Sequence, residues 1–166
     1  MKIGILSDTH GFLPEAVFRH FEEVDEIWHG GDIGSIEVLD KLRSFKPTLA
    51  VWGNIDDQRI QQECREVIET EREKVKILIT HIAGKPPRYN RTILDRIRNY
   101  KPKILVCGHS HMLKVMPDEA NKLLYVNPGA AGRHGFHSMK TILRLDINDG
   151  VIENLRVIEL GTRGKK

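Results

Sequence analysis

The stretch Lys2-Ile3-Gly4-Ile5-Leu6-Ser7-Asp8-Thr9-His10 decides how the chain is interpreted, because an apolar run ends abruptly in polar residues. Residues 2–7 have the composition of a buried β-strand. Pro14 can then begin a helix at its first position, where Val17 and Phe21 would form one apolar face. The N-terminus therefore predicts a strand, a polar loop and a helix.

This alternation of strand and helix continues through two-thirds of the chain. Further strands are predicted at 26–29, 48–52, 75–80 and 104–107, and helices at 36–45 and 93–100. Residues 58–74 fit either an exposed helix or an edge hairpin, in which 66–70 turns back into 75–80. We favour the hairpin.

The last third of the chain has the pattern of β-structure. Its four predicted strands, at 113–116, 123–126, 141–146 and 151–160, suggest a β-meander. Together these patterns predict a mixed α/β fold with helices on the outer faces of its sheets.

Composition limits the class of protein. The chain has 166 residues, 40% of them hydrophobic and 30% charged, which suits one soluble domain. We assign residues 1–160 to this domain and 161–166 to a basic C-terminal tail. The N-terminus lacks the apolar region of a signal peptide and no apolar run could cross a bilayer, so we expect a cytoplasmic protein without a membrane partner. The net charge of +3 is interspersed, and it does not indicate a nucleic-acid partner.

Side chains that can bind metal ions follow the ends of the predicted strands. In open α/β sheets, ligands bind outside the carboxyl ends of the strands, so we expect these groups to converge on one site. The residues are Asp8, His10, Asp32, Asn54, His81, His109 and His111.

The types and spacing of these side chains indicate the kind of metal. In a locally extended backbone, Asp8 and His10, or His109 and His111, would point the same way in pairs. Carboxylate, imidazole and amide ligands suit Mn²⁺, Fe²⁺, Co²⁺, Ni²⁺ or Zn²⁺. Seven ligands are too many for one transition metal, and they suit two ions that share a carboxylate.

Five short motifs occur along the chain in the order Asp8-x-His10, Gly31-Asp32, Gly53-Asn54, His81 and Gly108-His109-x-His111. Together they resemble the motifs of the calcineurin-like metallophosphoesterases. The short chain and its Asn-Pro-Gly turn at 127–129 are similar to the small prokaryotic phosphodiesterase family. The resemblance covers essentially the whole chain. It implies a four-layer α-β-β-α sandwich with the site at the strand ends.

The resemblance also implies how two divalent metal ions per chain are held, with Mn²⁺ as our first choice. One ion would be held by Asp8, His10, Asp32 and His111, and the other by Asp32, Asn54, His81 and His109. We expect a hydroxide that bridges the two ions to attack phosphorus, as two-metal sites allow. The residues assigned to catalysis are Asp8, Asp32, Asn54 and His109.

Two positions depart from the family pattern. Larger metallophosphoesterases have a His where this chain has Ile55, which removes the obvious general acid. Ile82 follows His81 where the family usually has Gly, which predicts a different backbone there. Arg133 and His134 are candidates for binding a phosphate oxygen of the substrate.

We therefore predict a metal-dependent phosphodiesterase that acts on a small phosphate ester or a nucleotide. One alternative is a phosphomonoesterase or nucleotidase with the same site. The other is a non-catalytic interaction scaffold like the retromer subunit Vps29. A homo-oligomer, dimer or tetramer, is compatible with the resemblance.

Overall fold

A computed structural model describes residues 1–135 and 137–163 of the chain. Its elements, in chain order, are β1 (Lys2–Leu6), α1 (Ala16–His20), β2 (Glu26–His29), α2 (Ile36–Phe45), β3 (Thr48–Ala50), α3 (Gln58–Glu63), β4 (Val67–Arg72), β5 (Val75–Thr80), β6 (Gly84–Lys85), β7 (Arg88–Tyr89), α4 (Arg91–Tyr100), β8 (Ile104–Val106), β9 (Leu113–Asp118), β10 (Leu123–Pro128), β11 (Met139–Asn148) and β12 (Val151–Thr162).

Ten of these strands form two five-stranded sheets. The first sheet has the order β12-β11-β1-β2-β3, and the second has the order β4-β5-β8-β10-β9. Strands β1, β2 and β3 are parallel to one another, as are β5, β8 and β10. The predicted mixed α/β fold is confirmed. Strands β6 and β7 form a separate two-stranded ribbon, which the sequence did not indicate.

Alternating side chains divide the core into layers, because neighbouring residues of a strand face opposite sides of the sheet. Ile5 of β1 and Ile77 of β5 pack in the core between the two sheets. Leu6 instead packs in a cluster with residues of α1, α2 and α3, whereas Leu78 packs in a cluster with residues of α4. Helices therefore cover the outer face of each sheet, which gives four layers.

The ambiguous segment 58–74 contains both structures that we considered. The favoured hairpin is confirmed, because β4 pairs with β5 in an antiparallel register. The preceding residues form the short helix α3, and the carboxylate of Asp57 accepts a hydrogen bond from the Ile60 backbone N–H. This N-cap explains why the helix begins at Gln58.

The predicted β-meander in the last third is wrong. Strands β9 and β10 belong to the second sheet, whereas β11 and β12 belong to the first. The connection after β10 crosses between the sheets, where the backbone N–H groups of Ala131 and Gly132 bond to the carbonyls of Ser7 and Asp8. Local sequence could not reveal this, because the partner residues lie far away along the chain.

The predicted C-terminal tail also begins too early. Strand β12 continues to Thr162, where it pairs with Met139. The guanidinium of Arg163 donates hydrogen bonds to the carbonyls of Ala130 and Gly132, at 2.7 and 3.1 Å. Residues 161–163 are thus part of the fold, and residues 164–166 of the proposed tail lie outside the described residues. In the ranges described, no helix is both long and apolar enough to span a membrane.

An ion pair between a buried carboxylate and a partly exposed guanidinium joins the two sheets and gives a test of the fold. Glu26 of β2 accepts a 2.6 Å hydrogen bond from Trp28 Nε1 and two bonds from the guanidinium of Arg72 in β4. Glu26→Ala leaves both donors without this acceptor and should lower the free energy of unfolding by about 3 kcal/mol. The exposed pair Glu69–Arg96 is the matched control, and Glu69→Ala should cost less than about 1 kcal/mol in urea unfolding. Equal losses would contradict this account.

Candidate metal centre

The seven predicted ligands meet at one edge of the sandwich, where strands of both sheets end. Asp8 and His10 follow β1, Asp32 follows β2, and Asn54 follows β3 in the first sheet. The second sheet contributes the three histidines that follow β5 and β8, which are His81, His109 and His111. Neither sheet alone contains the whole set.

The first group consists of four side chains, two of which follow β1. The ligand atoms of Asp8, His10, Asp32 and His111 are all within 4.8 Å of one another. His111 Nε2 lies 3.2 Å from Asp8 Oδ1, and His10 Nε2 lies 3.6 Å from Asp32 Oδ2. This group could hold a metal ion.

A second group extends from the other oxygen of Asp32. Asp32 Oδ1 lies 3.2 Å from His81 Nε2, and His81 Nε2 lies 3.1 Å from Asn54 Oδ1. The same amide oxygen is 2.9 Å from His109 Nδ1. The two carboxylate oxygens of Asp32 thus face two different groups of side chains.

Two buried atoms of the site, Oδ2 of Asp8 and Nδ1 of His111, have no hydrogen-bond partner among the described residues. The Nε2 atoms of His10 and His111 face each other at 3.2 Å. A metal ion would satisfy such convergent lone pairs, and the donor set of imidazole, carboxylate and amide oxygen suits one.

The imidazole of His81 has the orientation expected of a metal ligand. Its Nδ1 is 2.7 Å from the carbonyl of Gly30 and donates to it, so Nε2, which lies between Asp32 and Asn54, is the nitrogen that the neutral ring would offer to a metal ion. Metal-binding histidines are commonly oriented by such a bond. Neither His81 nor Ile82 adopts the left-handed backbone region, so this position does not require a glycine.

The charges of the site shift the pKa values of its members in different directions. Burial lowers the pKa of His10, and the nearby carboxylate of Asp32 only partly opposes this. For His81, burial acts in the same direction, but the hydrogen bond and charge of Asp32 and the charge of Asp8 outweigh it and raise the pKa. Burial opposes ionisation of Asp32, yet its hydrogen bond to His81 keeps its pKa lowered. The carboxylate therefore stays ionised and available to a cation.

The backbone at these residues is not extended, contrary to our expectation. Five of the seven adopt the left-handed region, with φ between 47° and 68°: Asp8, His10, Asp32, His109 and His111. Asp8 and His10 still reach one group, but His109 and His111 reach different ones. Outside glycine, such conformations cost energy and concentrate at functional sites.

Two glycines of the motifs are required because the backbone is crowded here. A Cβ atom at Gly53 would overlap the backbone nitrogen and Oδ1 of Asp32. A Cβ atom at Gly108 would overlap Ser7 Oγ and lie 2.7 Å from Asp8 Oδ2. These glycines allow the loops of both sheets to approach the carboxylates closely.

Asp56 holds two of the loops together. Its carboxylate accepts hydrogen bonds from the backbone N–H groups of Ile33, Gly34 and Gly53, at 3.1, 2.7 and 2.8 Å. The loops after β2 and β3 are thereby fixed to each other. The sequence alone could not identify these three donors, two of which lie more than twenty residues away.

His29 orients the turn that leads to Asp32, a role that the sequence did not indicate. It is fully buried, its Nδ1 accepts from the Gly31 backbone N–H at 3.1 Å, and its Nε2 is 3.0 Å from Thr9 Oγ1. Thr9 donates its own proton to the Ile33 carbonyl, so Nε2 must carry a proton and the ring is neutral. Burial lowers its pKa from 6.5 to about 4.

The two candidates for substrate binding make different contacts. Arg133 is stacked on the ring of Phe12, with its Cζ 3.8 Å from the ring centroid. His134 is exposed, and its ring centroid is 5.3 Å from that of His10. His134 is therefore at the edge of the first group, whereas the guanidinium of Arg133 packs on Phe12 in the loop after His10. Ile55 donates its backbone N–H to Asp32 Oδ1, and its side chain is 46% exposed.

Comparison with known proteins agrees with this geometry. A model of the calcineurin-like phosphoesterase superfamily domain matches residues 1–150. The chain is 32% identical over 165 residues to the probable metallophosphoesterase MJ0623 of Methanocaldococcus jannaschii, covering 96% of this chain and 82% of that protein. Phosphodiesterase MJ0936 of the same organism is 29% identical over 147 residues, covering 78% of this chain and 83% of that protein.

Solved structures share the fold. A structure described as a novel archaeal phosphodiesterase has a TM-score of 0.78 and 25% identity, covering 96% of this chain and 100% of that chain. Vps29 of Entamoeba histolytica in complex with zinc has a TM-score of 0.74 and 20% identity, covering 96% and 99%, which shows likeness of fold alone.

The sandwich fold and the family match together define the class of protein as a phosphoesterase. The chain belongs to the calcineurin-like phosphoesterase superfamily, whose members use divalent metal ions. The resemblance deduced from the motifs is thereby confirmed.

The neutral state of His29 predicts how stability depends on pH. In the unfolded chain His29 takes up a proton near pH 6.5, but in the folded protein only near pH 4. The contribution of the neutral ring to the free energy of unfolding is therefore fully present above pH 6.5. Up to about 3 kcal/mol of it is lost as the pH falls towards 4. Urea unfolding with a chelator present should show this loss.

The variant His29→Asn is the control for this prediction, because Asn cannot take up the proton. Its free energy of unfolding should change less across the same pH range than that of the wild type. Parallel curves for the two proteins would contradict the assignment.

Proposed function

We propose that this protein is a phosphodiesterase that holds two divalent metal ions at the candidate centre. The observation that carries the proposal is the position of Asp32. Its Oδ2 faces His10 and its Oδ1 faces His81, so one carboxylate is placed to serve two neighbouring cations. The first ion would be bound by Asp8, His10, Asp32 and His111, and the second by Asp32, Asn54, His81 and His109.

When bound, two such ions lower the pKa of water and neutralise charge on phosphoryl oxygens. The chain contributes by orienting the ligands. His109 donates its backbone N–H to Asp8 Oδ1 at 3.2 Å, and Ile55 does the same to Asp32 Oδ1 at 3.1 Å. These bonds fix both carboxylates before substrate arrives, so little reorganisation is needed. Asp8, Asp32, Asn54 and His109 are the catalytic residues of this proposal.

A thiol of the chain is a poor alternative nucleophile. Cys107 lies one residue before the Gly108-His109 motif, but it is buried and donates its S–H to Tyr125. Burial raises the pKa of its thiol to about 12, so thiolate is scarce at neutral pH. This supports attack by water.

Family membership leaves the substrate class, the metal, the localisation and the oligomeric state to be proposed. Diesters are preferred over monoesters because they bring one fewer anionic oxygen, and a phosphomonoesterase or nucleotidase is the second candidate. Mn²⁺ is our first choice of metal because imidazole ligands favour intermediate ions over Mg²⁺. Cytoplasmic localisation and a dimer or tetramer stay predictions.

Removal of metal tests the proposal directly. Treatment with EDTA should abolish hydrolysis of bis(p-nitrophenyl) phosphate, and Mn²⁺ should restore it better than Mg²⁺. Asp32→Ala should lose both ions, because the shared carboxylate serves each of them, and its kcat should fall by several orders of magnitude. The measurements are metal content by mass spectrometry and initial rates.

Asp40→Ala is the matched control, since Asp40 is exposed on α2 and outside the site. It should keep both metal content and rate. Full activity without metal would overturn the proposal, and wild type that binds no transition metal would favour an interaction scaffold like Vps29.

The exposed aliphatic side chain at Ile55 predicts a strong dependence on the leaving group. General acid catalysis contributes about 10²–10⁴-fold, and Ile cannot supply it. Values of kcat/KM should therefore fall steeply from nitrophenyl to alkyl diesters, and Ile55→His should help the alkyl diesters most. A flat series that steepens in His134→Ala would assign the acid to His134 instead.

A further inference from the structure

A cavity of about 360 Å³ opens directly beside the candidate metal centre. It begins at Gly108 and His109 and extends towards the β6–β7 ribbon. The residues that give it its character are Ile82, Lys85, Arg88, Met112 and Lys114. Its volume lies within the range typical of sites for small organic ligands.

The walls next to the metal centre are apolar. Ile82 and Met112 line the cavity, and they are 43% and 51% exposed to solvent. Each follows a proposed metal ligand in the chain, Ile82 after His81 and Met112 after His111. An apolar group attached to a phosphate at the centre would cover both side chains and release the water around them.

The lining of the cavity is also positively charged. Lys85, Arg88 and Lys114 line it, and none of the acidic residues that the structure describes does so. Within the described ranges, none of these three side chains forms an ion pair or a side-chain hydrogen bond. Lys85 and Arg88 are direct partners across the ribbon, so their charges reinforce each other.

The ribbon that carries two of these cations is anchored to the fold. Tyr125 donates its hydroxyl to the Gly84 carbonyl at 3.0 Å, and Tyr89 donates its hydroxyl to Asp118 at 2.7 Å. Asn90 Nδ2 donates to the Ile82 carbonyl at 2.7 Å. The position of the ribbon is therefore fixed beside the metal centre.

We propose that this cavity binds one ester group of the phosphodiester substrate, and that this group is a flat ring system bearing a further phosphate, as in a nucleotide. The inference rests on the proposed function. Ring faces suit the aliphatic wall and the thioether of Met112. The guanidinium of Arg88 suits a phosphate bidentately, and the lysines add charge.

Three substrates with the same leaving group test the proposal. They are methyl p-nitrophenyl phosphate, thymidine 5′-(p-nitrophenyl phosphate) and the 3′-phosphorylated form of the latter. With the Mn²⁺-loaded enzyme, kcat/KM should rise about 10-fold with the nucleoside and again about 10-fold with the added phosphate, as one charged hydrogen bond allows.

Variants test which cavity residues cause each increase in kcat/KM. Lys85→Gln/Arg88→Gln should reduce the preference for the 3′-phosphorylated substrate over the unphosphorylated nucleotide to about 1. Met112→Ala should reduce the preference for the nucleoside over the methyl group. The control Arg19→Gln/Lys41→Gln removes two exposed cations from α1 and α2 and should change neither preference.

Binding gives a readout that does not depend on turnover. Calorimetry with thymidine 3′,5′-bisphosphate and the Mn²⁺-loaded protein should show a Kd raised about 10-fold in Lys85→Gln/Arg88→Gln. Equal kcat/KM for all three substrates in an active wild type would overturn this inference and leave the proposed function standing. Absence of hydrolysis of any of them would overturn the proposed function, and the calorimetry would then decide on the cavity separately.

Discussion

The carboxylate of Asp32 is the point on which the rest of the site depends. Its two oxygens face different histidines, one from each sheet, and the surrounding backbone is arranged to permit this. Gly53 lacks a side chain because Asp32 occupies the space that a Cβ would need. Asp56 ties the loop after Asp32 to the loop that contains Gly53, and His29 fixes the turn before it. These interactions hold the Asp32 carboxylate between the two groups of side chains.

The sequence indicated most of the strands and the seven side chains that the fold brings together, because both depend on local pattern. A strand such as 75–80 is recognisable from its own residues, and a ligand such as His81 from its place after that strand. The assignment of β9–β12 to two sheets was not predictable, since it depends on pairing between distant residues. The neutral histidine at position 29 was equally hidden, because its role follows from Thr9 and Ile33, which it meets only in the fold.

Left-handed backbone at five of the ligand residues was also beyond sequence reasoning. Aspartate enters this region more readily than most residues, yet each instance costs energy that surrounding contacts must offset. The contacts that do so are visible at Asp8, whose carbonyl accepts from Gly132 and whose carboxylate accepts from His109. The loops are thus held in conformations that the isolated segments would rarely adopt, which means that the geometry of the ligands is set by the whole sandwich.

The division of the ligands between two sheets has a mechanical consequence. An ion held by Asp32 and His81 would act as a cross-link between halves of the sandwich that are otherwise joined by apolar packing and by pairs such as Glu26–Arg72. If the ion binds only the folded state, metal binding stabilises the fold, and a loss of folding stability weakens metal binding. A substitution in the core between the sheets, at Trp28 for instance, would therefore loosen the grip on the ion without touching any ligand. A metal ion bound there would be chelated by side chains from both β-sheets.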